Sequence, residues 1–172
     1  KLVSMKKIVV MMVSVLFSVM LQAQFVKASL QASGLTCAMC SNAINKSLQK
    51  LPFVETVQSD IKNSSFAVTF KSNAEVDIDA IQKAVDDAGF SVAKLKLTGN
   101  FDNVAVANDK HTVIGNRNFH FVNVSNQNLQ GEKTITIVDK NFLTAKEFKK
   151  YSAATKLACI QSGKAAACCT KE

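Results

Sequence analysis

Cys37 and Cys40 are separated by two residues in the stretch Gly34-Leu35-Thr36-Cys37-Ala38-Met39-Cys40. Two thiols at this spacing can clasp a metal ion, exchange electrons with a partner, or close into a disulfide. Three further cysteines, Cys159, Cys168 and Cys169, lie far downstream, which makes five in all. An odd number leaves at least one sulfur without a partner in the chain, so some of these thiols are expected to bind rather than staple. Cys37 falls in a loop and Cys40 in the first turn of the helix that follows. The free amides and dipole at that end of a helix favour the thiolate.

The elements that must hold this loop follow from periodicity. Phe25 to Ser33 reads as a strand ending at Gly34. Ile44, Leu48 and Leu51 fall on one helical face, and Pro52 stops that helix. Val54 to Ser59 is a short strand, Asn63-Ser64 a turn, and Phe66, Val68 and Phe70 alternate as in a half-buried strand. Asp77 can cap a second helix carrying Ile78, Ile81, Ala84, Val85 and Ala88, which Gly89 ends, and Ser91 to Leu97 is a last strand. The order β-α-β-β-α-β predicts an α+β, ferredoxin-like domain over residues 24–98.

On these residues the segment resembles the heavy-metal-associated domain of copper chaperones, metal-transporting ATPases and the periplasmic mercury-binding protein. Gly34 to Cys40 matches the family's Gly-Met-Thr-Cys-x-x-Cys, and Asp87-Ala88-Gly89-Phe90 matches its Ala-Gly-Phe or Ala-Gly-Tyr. Leu35 stands where the family usually has a Met that packs under the loop. The resemblance implies a binding module rather than an enzyme, with Cys37 and Cys40 as metal ligands and Phe90 beside the loop. An ordinary core role serves Phe90 nearly as well. Thr36 is expected to fix the loop backbone and Ser41 to donate to a sulfur, while Met39 reads as an exposed residue before a thioether ligand.

Cu(I) and Hg(II) accept two sulfur ligands, whereas a structural Zn(II) site asks for four. Copper is the first expectation and mercury the alternative. The implied partners are the ion, a metal-transporting membrane protein or another thiol carrier, and no nucleic acid. The competing chemistry is a thiol–disulfide oxidoreductase. Thioredoxin-type proteins resemble Trp-Cys-Gly-Pro-Cys here, but this chain has no Trp and its one proline, Pro52, lies at a helix end.

Ahead of the first strand, Lys6 and Lys7 follow Met5, and Ile8 to Leu21 is apolar apart from two serines. A basic start, a short apolar run and the small Ala23 have the pattern of a secretory signal peptide over residues 1–23. A run of about 14 residues is short for a membrane span of roughly 20, which disfavours a retained anchor. Cleavage after Ala28 is the second choice, at the expense of the first strand. The expected location is periplasmic or secreted. Loss of Lys1, Lys6 and Lys7 takes the net charge from +8 to +5, a surplus suited to solubility or weak attraction to anionic surfaces.

Beyond Gly99-Asn100, which reads as a domain boundary, Phe101–Ala107, His111–Ile114, Phe119–Val124 and Lys133–Asp139 have strand character. Thr144-Ala145-Lys146-Glu147 is a capping box that opens a helix bearing Phe148 and Tyr151. Residues 99–158 are thus expected to form a small β-rich domain with a terminal helix, in the manner of an oligonucleotide/oligosaccharide-binding barrel. Phe119 and Phe121 suit the inner face of a strand better than base stacking. His111 and His120 each read as isolated surface or turn histidines, with no second ligand at coordinating spacing. Residues 159–172 read as a flexible tail. In it Cys159 either bridges to Cys168 or Cys169 or joins them as an auxiliary soft-metal site. The adjacent pair is unsuited to bridging with itself.

Overall fold

The computed structural model describes residues 24–35, 37–157 and 159–162, with side chains to Ile160, so the expectations for residues 1–23, Thr36, Cys168 and Cys169 lie outside it. Strand β1 (Gln24–Ser33) alternates, burying Ala28, Leu30 and Ala32. Helix α1 (Ala38–Gln49) turns Ile44 and Leu48 inward. Strands β2 (Val54–Asp60) and β3 (Ser65–Phe70) form a hairpin in which Phe66, Val68 and Phe70 are buried. Helix α2 (Ile78–Asp87) begins at Asp77, whose carboxylate accepts from the Asp79 and Ala80 amides, and buries Ile81 and Val85. Strand β4 (Ser91–Val106) follows. With β2-β3-β1-β4 as neighbours in one sheet, this is the ferredoxin-like arrangement the hydrophobic periods predict.

The core is one cluster. Leu30, Ile44, Leu48, Phe66, Ile81 and Leu95 are among its fully enclosed side chains. Asn45 fastens α1 to β2, donating to the Val57 carbonyl at 3.3 Å and to Ser59 Oγ at 2.6 Å. These contacts fix the helix whose first turn carries the cysteines.

The second half departs from expectation in its connections. The chain does contain a further β-rich region and a late helix, but its strands do not close into a barrel of their own. Strand β4 runs through Gly99 and Asn100, the expected boundary, and strand β7 (Gln127–Ile137) pairs antiparallel along it to make a fifth strand of the same sheet. Gly99 is explained by close approach: a Cβ there would meet the Gln24 carbonyl oxygen at 2.8 Å and Phe25 Cδ1 at 3.1 Å. In sequence Gly99 has the look of a break; in the fold it marks crowding between β1 and β4. Phe25 sits edge-on to Phe101 and to Phe119, at 6.2 and 5.8 Å between ring centroids, so the aromatic core also crosses the expected boundary.

Strands β5 (Lys110–Ile114) and β6 (Arg117–Phe121) form a separate hairpin. Its loop is Gly115-Asn116, with Gly115 at φ +61°, the sign a two-residue primed turn requires at its first position. Arg117 at the hairpin's end reaches Asp77 at 2.8 Å and Asp79 at 3.4 Å, bonding the hairpin to the start of α2. Helix α3 (Ala145–Ser152) is opened by the capping box, with Thr144 Oγ1 accepting from the Glu147 amide and donating to its carboxylate. The helix stops at Ser152, short of Cys159. That residue instead begins a separate short turn, α4 (Cys159–Ser162), where Ile160 is buried, so the expected flexible tail starts as packed structure.

Candidate metal centre

Cys37 is the N-cap of α1, with extended backbone angles (φ −146°, ψ 157°). Its Sγ accepts the Cys40 backbone N–H at 3.3 Å. An N-cap acceptor is ordinarily a hydroxyl or carboxylate oxygen, and here a sulfur fills that role. Cys37 is exposed and Cys40 half-buried, so the pair faces outward from the end of the helix.

The two thiols differ in acidity. Hydrogen bonding from the Cys40 side chain, and then from the Cys40 backbone, holds the Cys37 thiol below the ordinary range. The Cys40 thiol is pushed up, first by its hydrogen bond to Cys37, then by burial and by the charge on Cys37. The first proton therefore leaves from Cys37. The second, on Cys40, leaves at higher pH. A cation that bonded both sulfurs would remove their mutual repulsion, and the softness of sulfur, not its charge, sets which cations it prefers.

The neighbours divide clearly. Leu35 packs against the core, as a loop tether should, and Phe90 also packs there. Met39 is 83% exposed on the first turn of α1. Ser41 turns inward instead of toward a sulfur. It is buried, and its Oγ has no hydrogen-bond partner among the described residues.

The structure brings together residues that sequence reasoning kept apart. His111 and His120 lie directly opposite each other in the β5–β6 hairpin, with rings stacked at 4.8 Å and 25°. Cys159 Sγ lies 3.4 Å from His120 Nδ1 and 3.8 Å from His111 Nε2. Asp109 bonds the other nitrogen of His120, Nε2, at 2.8 Å, and Thr155 donates to the same carboxylate oxygen. The Thr155 hydrogen bond first, and His120 second, keep the Asp109 carboxyl below its usual range. Burial foremost, with the neighbouring charge of His120, lowers His111, favouring its neutral form. The signal was legible in principle. His111 lies three residues before Ile114, and His120 three after Arg117, the pair that closes the two-residue turn. The register of that turn alone sets the two imidazoles face to face.

A ferredoxin-like fold with a Cys-x-x-Cys loop at the amino end of its first helix defines a class of small metal-handling domains. Residues 29–91 match the heavy-metal-associated domain family, and this segment of the chain is such a domain. Among curated proteins, copper-transporting ATPase 1 of Rhizobium meliloti is 38% identical over 66 residues, 38% of this chain and 8% of the ATPase. The copper-exporting P-type ATPase of Bacillus subtilis is 33% identical over 84 residues, 49% of this chain and 10% of that protein. The chain thus spans a tenth or less of the length of these relatives. Among solved structures, oxidized MerP from Ralstonia metallidurans is 30% identical, covering 41% of this chain and 96% of MerP, with a TM-score of 0.35.

Proposed function

We propose that this protein is an exported carrier of a soft metal ion, which it holds between Cys37 and Cys40 and passes on by sulfur-for-sulfur exchange. The observation that carries the reading is the exposed Cys37 thiol at the cap of α1, whose Sγ accepts the backbone N–H of the second cysteine of the same loop. Cu(I) is the first cargo, since it accepts two-coordinate thiolate ligation and the relatives cited above are named as copper transporters. Hg(II) shares that coordination and is the alternative. In transfer, a thiolate of the partner bonds the ion while its bond to one of the two cysteines breaks. The metal keeps its oxidation state. The partner is a metal-transporting membrane protein or another thiol carrier.

Export rests on the basic and apolar pattern of residues 1–23. β1 supports cleavage before Gln24 over cleavage after Ala28, because the later cut would remove Phe25 and its pairing with Gly99. Mass spectrometry of protein recovered from the compartment outside the cytoplasm should find a chain beginning at Gln24.

The reduced protein should take one tight equivalent of Cu(I) in competition with a chromophoric chelator. The double variant Cys37→Ser, Cys40→Ser should lose it. Equal binding by the variant would end this reading. A thiol held below its ordinary range also suits an oxidoreductase, and catalytic turnover of a model disulfide by metal-free protein would favour that alternative.

A further inference from the structure

We infer that the chain carries a second metal site, chemically unlike the first, in which His111 Nε2, His120 Nδ1 and Cys159 Sγ coordinate a borderline divalent ion of the zinc type. The three ligand atoms lie within 4.8 Å of one another and come from three separate elements, β5, β6 and α4. Their spacing is that of a coordination shell. With metal–sulfur and metal–nitrogen bonds of about 2.3 and 2.0–2.1 Å, a tetrahedral shell puts sulfur and nitrogen about 3.6 Å apart. The observed separations are 3.4 and 3.8 Å.

The surroundings are also those of a ligand set. Asp109 holds His120 by Nε2, which leaves Nδ1 directed at the sulfur. A carboxylate on the far nitrogen of a metal-bound imidazole fixes its tautomer and raises its basicity. Thr155 in turn fixes the carboxylate, so the order of support runs Thr155, Asp109, His120. All three ligands line a cleft of about 740 Å³ bordered by Phe119, Phe121 and Tyr151, which gives an ion a route in. Three protein ligands leave one position of a tetrahedron, which water from the cleft can fill.

The donor set decides the class of ion. Two imidazoles and one thiolate suit Zn(II) and its borderline neighbours, whereas the paired thiols of the first loop suit soft, two-coordinate ions. The two sites would therefore differ in the softness of the ion they prefer. The inference stands apart from the Cu(I) reading, and either can fail without the other.

Co(II) and Zn(II) test it, using the full chain, reduced, with Cys37→Ser and Cys40→Ser in place to silence the first loop. The expected result is one equivalent of Co(II) with the intense visible bands of a tetrahedral ion and a thiolate-to-metal charge-transfer band, displaced by Zn(II). Asp109→Asn should weaken binding by about 10–100-fold, the range for loss of such a supporting carboxylate. The X-ray absorption of the Zn(II)-loaded protein reads the shell with no change at the ligands themselves, and should show one sulfur and two imidazoles. Absence of Co(II) binding, a spectrum without the thiolate band, or a shell of several sulfurs and no imidazole would each overturn the inference.

Discussion

Cys37 and Cys40 share one hydrogen-bonded unit, so their titrations are displaced in opposite directions from that of an ordinary thiol. Alkylation of Cys37 should have its midpoint below that of an ordinary thiol, and alkylation of Cys40 above it. Because Cys37 itself is the leading cause of the upward shift at Cys40, Cys37→Ser should move the Cys40 midpoint to lower pH. A pH series of labelling read by mass spectrometry checks both, and an unmoved Cys40 would contradict the coupling. The sign for folding follows from linkage. A thiol whose pKa is lower in the folded than in the unfolded state adds stability above the unfolded pKa, and this is lost as pH falls through the folded value. On the proposed function a bound cation takes the place of the proton on Cys40, so apparent Cu(I) affinity should climb with pH until that thiol is ionised.

Strand β4 is the element that joins the two halves. It pairs with β1 on one side from Ser91 to Asn100 and with β7 on the other from Leu95 to Val106. At Gly99 the neighbouring strand leaves no room for a methyl group. Gly99→Ala should therefore destabilise the fold by about 1–3 kcal/mol, the usual cost of overpacking, measurable by urea denaturation. Asp77 has two duties, capping α2 and receiving Arg117 from the hairpin. Asp77→Ala should cost about 0.5–2 kcal/mol through the lost cap. Arg117→Ala should cost under about 1 kcal/mol, because an ion pair this open to solvent is worth little. Equal losses for the two variants in thermal denaturation would show that the hairpin bond, not the cap, carries the cost at Asp77.

At the scale of the molecule, β7 covers the β4 edge that a four-stranded sheet would leave bare, protecting it from pairing with another chain. One apolar cluster extends from Phe25 through Phe142, and one five-stranded sheet takes strands from both halves. The chain should then unfold in a single step. Tyr151, the one tyrosine in a chain without tryptophan, reports on the late helix, while far-ultraviolet circular dichroism reports on every element. Coincident transitions by the two probes are expected, and separate midpoints would mean independent units.

The ferredoxin-like part and the thiol pair were legible because their signals are local. Apolar period, cap and stop residues, and the Gly34 to Cys40 motif all act within a turn or two of chain. The second half was misread where one residue type serves two physical ends: Gly99 looks the same in sequence whether it opens a turn or yields to a neighbouring strand. His111 and His120 looked isolated because their spacing along the chain fits no ligand motif, although a two-residue turn sets their register. Cys159 lies 39 residues past His120, and no local rule brings it there. The sequence by itself determined the thiol loop, since helix formation from Ala38 onward places both sulfurs. Only the tertiary structure decided the imidazole–thiolate cluster, because it exists solely where the packing of α4 meets the β5–β6 hairpin.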